Sequence, residues 1–533
     1  MILQVVAGVY KKDMTAGTYP DVRSGLQKLL KDGLLLFNYT GHGGTTALSD
    51  EKVLTQTDIN QFTYTHLPVW VTATCDFTRF DDLNTSAGED VFLNKSSGGI
   101  ALFTTVRVAY SRPNFPINDN VIRNLFERNN GRRRTLGEVM QATKNTLSSV
   151  YKLGFCLIGD PAVKMAYPEF GMKVTTVNGQ SVDGNSISFK ALEKITVEGE
   201  VLDASGQLVT DFTGIVNPTV KDSKVTVTCL KNSNKDDSPA FTFTDYPNTI
   251  FIGNDSVRNG KFSFTFTVPK DISYSNLQGK MNLYAVDTES GNEAQGNFDN
   301  FIVGGTSDTA ETDTIGPEIR ALYLNDTTFV DGGQVNTTPY FVAELWDKSG
   351  VNITGSSVGH DMMLVIDEST VLSYNLNSYY ELLPGEDGTG IVKFPIPALE
   401  PGKHTAEFWV WDILNNSTVR TFTFEVVEGL KPFLFDVIAT PGIAREQVTF
   451  HLMHNRPESR MRVGIMVYDL AGRQLWKHEE SGTSGLFENY TVSWDLTSGG
   501  ARMRPGVYIY RAAISTDNSK DATKARKFII LGE

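Results

Sequence analysis

The chain carries two hydrophobic periods, which change over near residue 168. Before that point, short contiguous apolar runs alternate with segments whose apolar positions recur every three or four residues. Leu34-Leu35-Leu36-Phe37-Asn38-Tyr39, Pro68 to Thr74, Ile100 to Val106 and Leu153 to Ile158 are predicted strands, apolar enough to be buried on both faces. Ile2 to Tyr10 reads as a further strand. A helix is predicted from Tyr19-Pro20, with Val22, Leu26, Leu29 and Leu30 on one face and Gly33 at its end. Ser86 with Glu89 and Thr135 with Glu138 form capping boxes, the second opening a helix to about Val150. Residues 117–129 are also predicted helical, and Gly159-Asp160-Pro161 closes the last strand. Apolar strands alternating with amphipathic helices predict an α/β fold with a mostly parallel sheet covered on both faces.

Beyond residue 168 the period drops to two and helical patterns nearly vanish. Turn signals punctuate short alternating strands at Asn178-Gly179, Asp183-Gly184, Asn259-Gly260, Asp331-Gly332-Gly333 and Asp387-Gly388. That pattern predicts β-sandwiches. Gly304 to Asp313 reads as a polar linker, and Glu428-Gly429 ends a block. The expected organisation is an α/β domain over 1–168 and three tandem all-β sandwich domains at 169–305, 314–429 and 430–533.

Length and charge narrow the function classes. The chain has 533 residues and a net charge of −14, and an acidic surface repels phosphate backbones, so nucleic acid is not an expected partner. No run of 18 apolar residues would span a membrane as a helix. No basic start followed by an apolar block marks a signal peptide, and the chain reads as beginning inside a larger protein. Three cysteines make no disulfide framework; Cys156 and Cys229, in apolar or β-branched runs, are expected to be small buried hydrophobes.

The chemistry that stands out lies at two strand ends. His42, in Tyr39-Thr40-Gly41-His42-Gly43-Gly44, follows one apolar strand, and Cys75, in Thr72-Ala73-Thr74-Cys75-Asp76, follows another. Sites in open parallel sheets form at the carboxyl ends of strands. An imidazole and a thiol at one rim are what thiol acyl transfer requires. The amides of Gly43 and Cys75 are then candidate oxyanion donors. The plainer readings are a packing cysteine and a glycine-flanked turn. Asp76 and Arg79 follow the Cys75 strand, Arg107 and Tyr110 follow the next strand at the same rim, and all four are candidates for the substrate pocket; Arg79, Asp81 and Asp82 read equally well as a solvated ion-paired loop. His66 precedes a strand and is expected at the surface, and Arg132-Arg133-Arg134 is expected to be a solvated turn. No metal site is assigned, although the loop with Asp287, Glu289, Asn292, Glu293 and Asp299 offers oxygen ligands that would suit a structural calcium.

The pair Gly41-His42-Gly43 and Thr74-Cys75, 33 residues apart, resembles the gingipain-type cysteine peptidases, which have a caspase-like fold. The likeness extends to Phe155-Cys156-Leu157-Ile158-Gly159-Asp160-Pro161-Ala162 and covers residues 1–168. It implies that Cys75 is the nucleophile, His42 the general acid/base and Gly43 an oxyanion donor, with no cofactor. Cys75-Asp76-Phe77-Thr78-Arg79-Phe80-Asp81-Asp82 and Ser86-Ala87-Gly88-Glu89 resemble the family's sortase branch, which serves type nine secretion. Val467-Tyr468-Asp469-Leu470-Ala471-Gly472-Arg473, Pro505-Gly506-Val507-Tyr508-Ile509-Tyr510 and Lys527-Phe528-Ile529-Ile530 make 430–533 resemble a C-terminal sorting domain, and the sandwich at 314–429 is expected to be immunoglobulin-like.

The resemblance implies a cell-surface transpeptidase, exported to the outer leaflet of the outer membrane. It would remove sorting domains from secreted proteins and pass the new C-terminus to a lipopolysaccharide-linked amine. The implied partners are an outer-membrane β-barrel shuttle protein and other components of a surface attachment complex. One departure stands against this: the family has more sheet upstream, where an acid commonly orients the histidine, and only 33 residues precede the first motif strand here. Residues 1–168 therefore read as the C-terminal part of such a domain, expected to be incomplete alone. A gingipain-type surface endopeptidase and a non-enzymatic surface adhesin or scaffold are the alternatives.

Overall fold

The computed structural model describes residues 9–13, 16–64, 66–95, 97–129, 131–232, 239–308, 313–355, 359–383, 388–516 and 518–531. The strand expected at Ile2 to Tyr10 lies almost wholly outside them. Strands β1 (Leu36–Thr40), β2 (Val69–Ala73), β3 (Ala101–Thr105) and β4 (Phe155–Ile158) form one sheet in that spatial order. The first three are parallel and β4 runs antiparallel at the edge. Side chains alternate across β2 and β3, so Trp70 and Leu102 enter one apolar layer while Val71 and Phe103 enter the other. Helices α1 (Pro20–Asp32), α2 (Gln56–Gln61) and α3 (Ala87–Leu93) cover the first layer through Val22, Leu30, Ile59 and Val91. Helices α4 (Ser111–Phe126) and α5 (Leu136–Asn145) cover the second through Ile117, Val121, Leu136 and Val139.

Several elements differ from expectation for physical reasons. Helix α4 starts six residues early and keeps Pro116 inside it, because a proline near a helix start removes few rungs. Helix α5 stops at Asn145, and residues Val150–Gly154 form a 3-10 turn that shortens the last strand. The strand pair Ala47–Leu48 and Leu54–Thr55 and helix α2 were not foreseen. Thr55 and Asp58 do form a reciprocal cap there, a box with aspartate in the glutamate position. Gly304, Gly305 and Thr306 belong to the strand Phe301–Thr306, so the expected linker begins later. The arginine run is no idle turn: Arg132 pairs with Glu138, Arg133 with Glu169 and Arg134 with Glu127, and Arg133 also donates to the carbonyls of Met165 and Tyr167. Cys156 and Cys229 are half-exposed rather than buried; β4 is an edge strand and leaves Cys156 covered on one side only.

Among the described residues beyond 168, the regular structure is strands apart from one 3-10 turn at Asn377–Tyr379. A nine-stranded sheet and a three-stranded sheet enclose a phenylalanine-rich core that includes Phe189, Phe264, Phe266 and Phe301. Four- and five-stranded sheets follow around Phe341, Phe408 and Phe424. Three- and five-stranded sheets close the chain around Phe450, Trp494, Tyr510 and Phe528. Helix α1 touches these later parts: Lys28 Nζ stands 4.9 Å from the Tyr379 ring centroid, and Lys31 pairs with Glu458.

One half-buried histidine is placed to make the last β-domain sensitive to acid. His454 Nδ1 accepts from the Arg456 amide and Nε2 stands 2.8 Å from Ser484 Oγ, so the ring sits as a neutral Nε2–H tautomer. Burial, helped by Arg456, pushes its pKa down to about 4. A depressed folded-state value means that the stability is present above the ordinary histidine range and is lost as pH falls through the folded value. Thermal melts between pH 7 and 4 should show this part losing up to about 3 kcal/mol. His454→Gln should flatten that dependence, and a slope unchanged by the substitution would refute the assignment.

Candidate active site

The parallel register delivers the two candidate side chains in step. Thr40 of β1 pairs with Ala73 of β2, and the Gly41 amide donates to the Ala73 carbonyl at 3.4 Å. His42 lies two residues beyond Thr40 and Cys75 two residues beyond Ala73, so both leave the same rim of adjacent strands, about 4.8 Å apart in a sheet.

The turn after β1 is held by its own backbone. The His42 carbonyl accepts from the Tyr39 hydroxyl at 2.6 Å and from the Ser49 amide at 2.7 Å, and the Gly44 amide donates to the Ala47 carbonyl at 3.0 Å. Burial pushes the Tyr39 phenol up, which keeps it a donor. These two rungs flank the bridge between Gly43 and Leu48, so the N–H of Gly43 points away from that pairing, as alternate residues of an antiparallel ladder do. His42 is exposed, and no carboxylate partner to its ring is found among the described residues.

The turn after β2 is a corner. Asp76 adopts a left-handed backbone at φ +49, rare for a non-glycine residue. The chain then runs beside the segment after β3: the Asp76 amide donates to the Arg107 carbonyl and the Thr78 amide to the Thr105 carbonyl. Phe77 is fully buried and anchors the bend. Cys75 is left half-exposed at the corner, its Sγ donating to the Ala109 carbonyl at 3.0 Å and lying 3.4 Å from the Ala109 amide.

The other candidate residues surround the corner. Arg107 grips Asp81 with both guanidinium nitrogens, at 3.0 and 2.6 Å, and that contact holds the Asp81 carboxyl below the usual carboxylate range. Arg79 stands 3.6 Å from Asp82, so these two arginines are engaged within the loop and offer little free cationic charge to a ligand. Tyr110, 60% exposed, lies edge-on to Tyr151 with centroids 5.4 Å apart and presents an aromatic wall. The Asp81 carboxylate raises the Arg107 pKa, and the nearby Asp76 charge adds to it. His66 is exposed and precedes β2. Sequence reasoning missed Ala109, whose backbone groups carry no residue signature, and Thr74, which stands beside Cys75 but resembles any strand threonine.

In the oxygen-rich loop considered for calcium, Asp287 is already engaged by backbone. Asp287 accepts from the amides of Thr213, Glu289 and Ser290, which hold its carboxyl down to about 2. The acids that do converge are Asp313, Asp347 and Asp412, with ligand atoms within 4.8 Å of one another. Burial raises the pKa of Asp412, and the Asp347 charge adds to it.

Residues 3–166 match the family model of peptidase family C25. No curated protein matches the chain. Among solved structures, dimeric latent PorU from Porphyromonas gingivalis is 37% identical over 77% of this chain and 39% of its own, with a TM-score of 0.34. The Arg-specific cysteine proteinase gingipain R is 19% identical over 53% of this chain and 56% of its own, with a TM-score of 0.26. The complex of Porphyromonas gingivalis RgpB pro- and mature domains gives 20%, 53%, 57% and 0.25. The chain thus spans well under half of the PorU chain and little more than half of the gingipain chains. Among the described residues, no helix is long and apolar enough to cross a membrane.

Proposed function

Residues 3–166 of this chain belong to peptidase family C25, and from that membership we propose that the protein is a cell-surface cysteine transpeptidase acting on secreted proteins that bear C-terminal sorting domains. The observation that carries the reading is the register-matched exit of His42 and Cys75 from neighbouring parallel strands. In this reading residues 1–168 form the C-terminal part of a caspase-like domain, 169–305 and 314–429 are sandwich domains of immunoglobulin-like type, and 430–533 is a sorting-type domain.

Cys75 gives up its proton to His42, and the sulfur attacks the scissile carbonyl carbon. The oxyanion is received by the amides of Gly43 and Cys75. Collapse breaks the C–N bond, His42 protonates the departing amine, and a thioester remains on Cys75. An amine on a lipopolysaccharide-linked acceptor loses a proton to His42 and attacks the thioester, which forms an amide and frees the thiol. Asp76 and Tyr110 line the substrate, while Arg79 and Arg107 shape the loop through their aspartate partners. The outer leaflet of the outer membrane is the proposed location, with a β-barrel shuttle and other attachment-complex components as partners.

The test is product mass. The full chain is incubated with a purified secreted protein carrying a sorting domain, with and without glycine amide as acceptor. A shortened cargo conjugated to the amine is the expected result. Hydrolysed cargo alone, even in excess amine, would replace transpeptidation with the endopeptidase reading. Uncleaved cargo, with Cys75 alkylated by iodoacetamide no faster than Cys156 and Cys229, would leave the scaffold reading.

A further inference from the structure

We infer that Thr74 is the positioning residue that fixes the Gly43 amide for oxyanion binding, an inference that rests on the acyl-transfer reading above. Thr74 is 1% exposed, and its hydroxyl is buried without a hydrogen-bond partner. A Cβ built on Gly43 would stand 2.4 Å from Thr74 Oγ1 and 3.3 Å from its methyl carbon. The threonine side chain therefore fills the space that a side chain at position 43 would need, and it bears directly on the Gly43 backbone.

The surroundings show what that contact does. The Gly43 peptide is held on one side by the two rungs to Ser49 and Ala47, and its N–H faces away from them. Thr74 supplies the backing on another side. A β-branched side chain has little χ1 freedom, so the backing is stiff. Thr74 is also bonded to Cys75, so a single peptide link joins the support of one proposed donor to the other donor and to the nucleophile. Electrostatic stabilisation depends on donors that are fixed before charge develops. A hydroxyl with no partner contributes nothing by hydrogen bonding here, so the role lies in the shape of the side chain.

Variants of the full chain test this against plain packing. In Thr74→Ala, kcat for cleavage of the sorting-domain cargo should fall about 10- to 100-fold with KM unchanged. Alkylation of Cys75 by iodoacetamide, a displacement that develops no oxyanion, should keep its parent rate. Thr74→Val, which restores the shape without the hydroxyl, should recover the lost kcat. Gly43→Ala should be inactive through collision with Thr74, and Gly43→Ala combined with Thr74→Ala should regain at least tenfold over Gly43→Ala. Equal loss of alkylation and cleavage in Thr74→Ala, parent kcat in that variant, or a double variant no better than Gly43→Ala would each overturn the inference. A parent chain that neither cleaves cargo nor alkylates selectively at Cys75 would instead overturn the acyl-transfer reading beneath it.

Discussion

Cys75→Ala is expected to lower cargo cleavage by about four to six orders of magnitude, the range seen when an activated nucleophile is removed. The physical reason is that no other group at the rim can form the acyl intermediate. Cys156 lies in the edge strand β4, within the sheet rather than past its carboxyl rim. The fold should survive, since Cys75 is half-exposed and loses only two weak sulfur contacts to Ala109. A change in stability below about 1 kcal/mol is expected. Cleavage of a sorting-domain cargo, followed by mass spectrometry beside a thermal melt, checks both halves. Cargo maturing normally in a stably folded Cys75→Ala protein would remove the basis for the mechanism.

His42→Ala is expected to cost about 10³ to 10⁴ in the cleavage of a peptide bond, the upper range for general acid–base catalysis plus loss of thiol activation. The loss should depend on the leaving group. An amine must be protonated to depart, whereas the thiol of a thioester substrate leaves readily without an acid. A cargo-derived peptide thioester should therefore be processed with a much smaller penalty than the matching peptide. Equal losses on both would mean that the imidazole does not act by protonating the leaving group. The turn itself should survive the substitution, because the His42 carbonyl that accepts from Tyr39 and Ser49 is backbone and is retained in alanine.

The features legible in the sequence were those with a local signature. Strands β2 and β3 announced themselves as apolar runs and are buried along their length, whereas β1, interrupted by Asn38, is buried only at Phe37; α1 and α5 were marked by a first-turn proline and a capping box. The shared rim of His42 and Cys75 could be read because parallel strands make equal offsets from strand ends into equal positions at a rim. What escaped notice was non-local or unsigned. Strands of two residues, such as Ala47–Leu48, are too short to have a period. Arg107 and Asp81 are far apart in sequence, and nothing near either residue signals that they form a fork. The same holds for the acids: Asp287 looked like a ligand but its oxygens are taken up by turn amides, whereas Asp313, Asp347 and Asp412 meet only through the fold.

The left-handed backbone at Asp76 separates two kinds of constraint on that position. Glycine pays no steric toll there, and asparagine and aspartate pay little, while β-branched residues are excluded by their own backbone. A saturation library selected only for surface display, in a chain already lacking the nucleophile, should still be depleted of valine and isoleucine at codon 76. Sequence restriction next to a reactive residue then records the geometry of the bend as well as any contact with substrate, and scans that equate intolerance with chemistry would overcount the catalytic machinery by this residue.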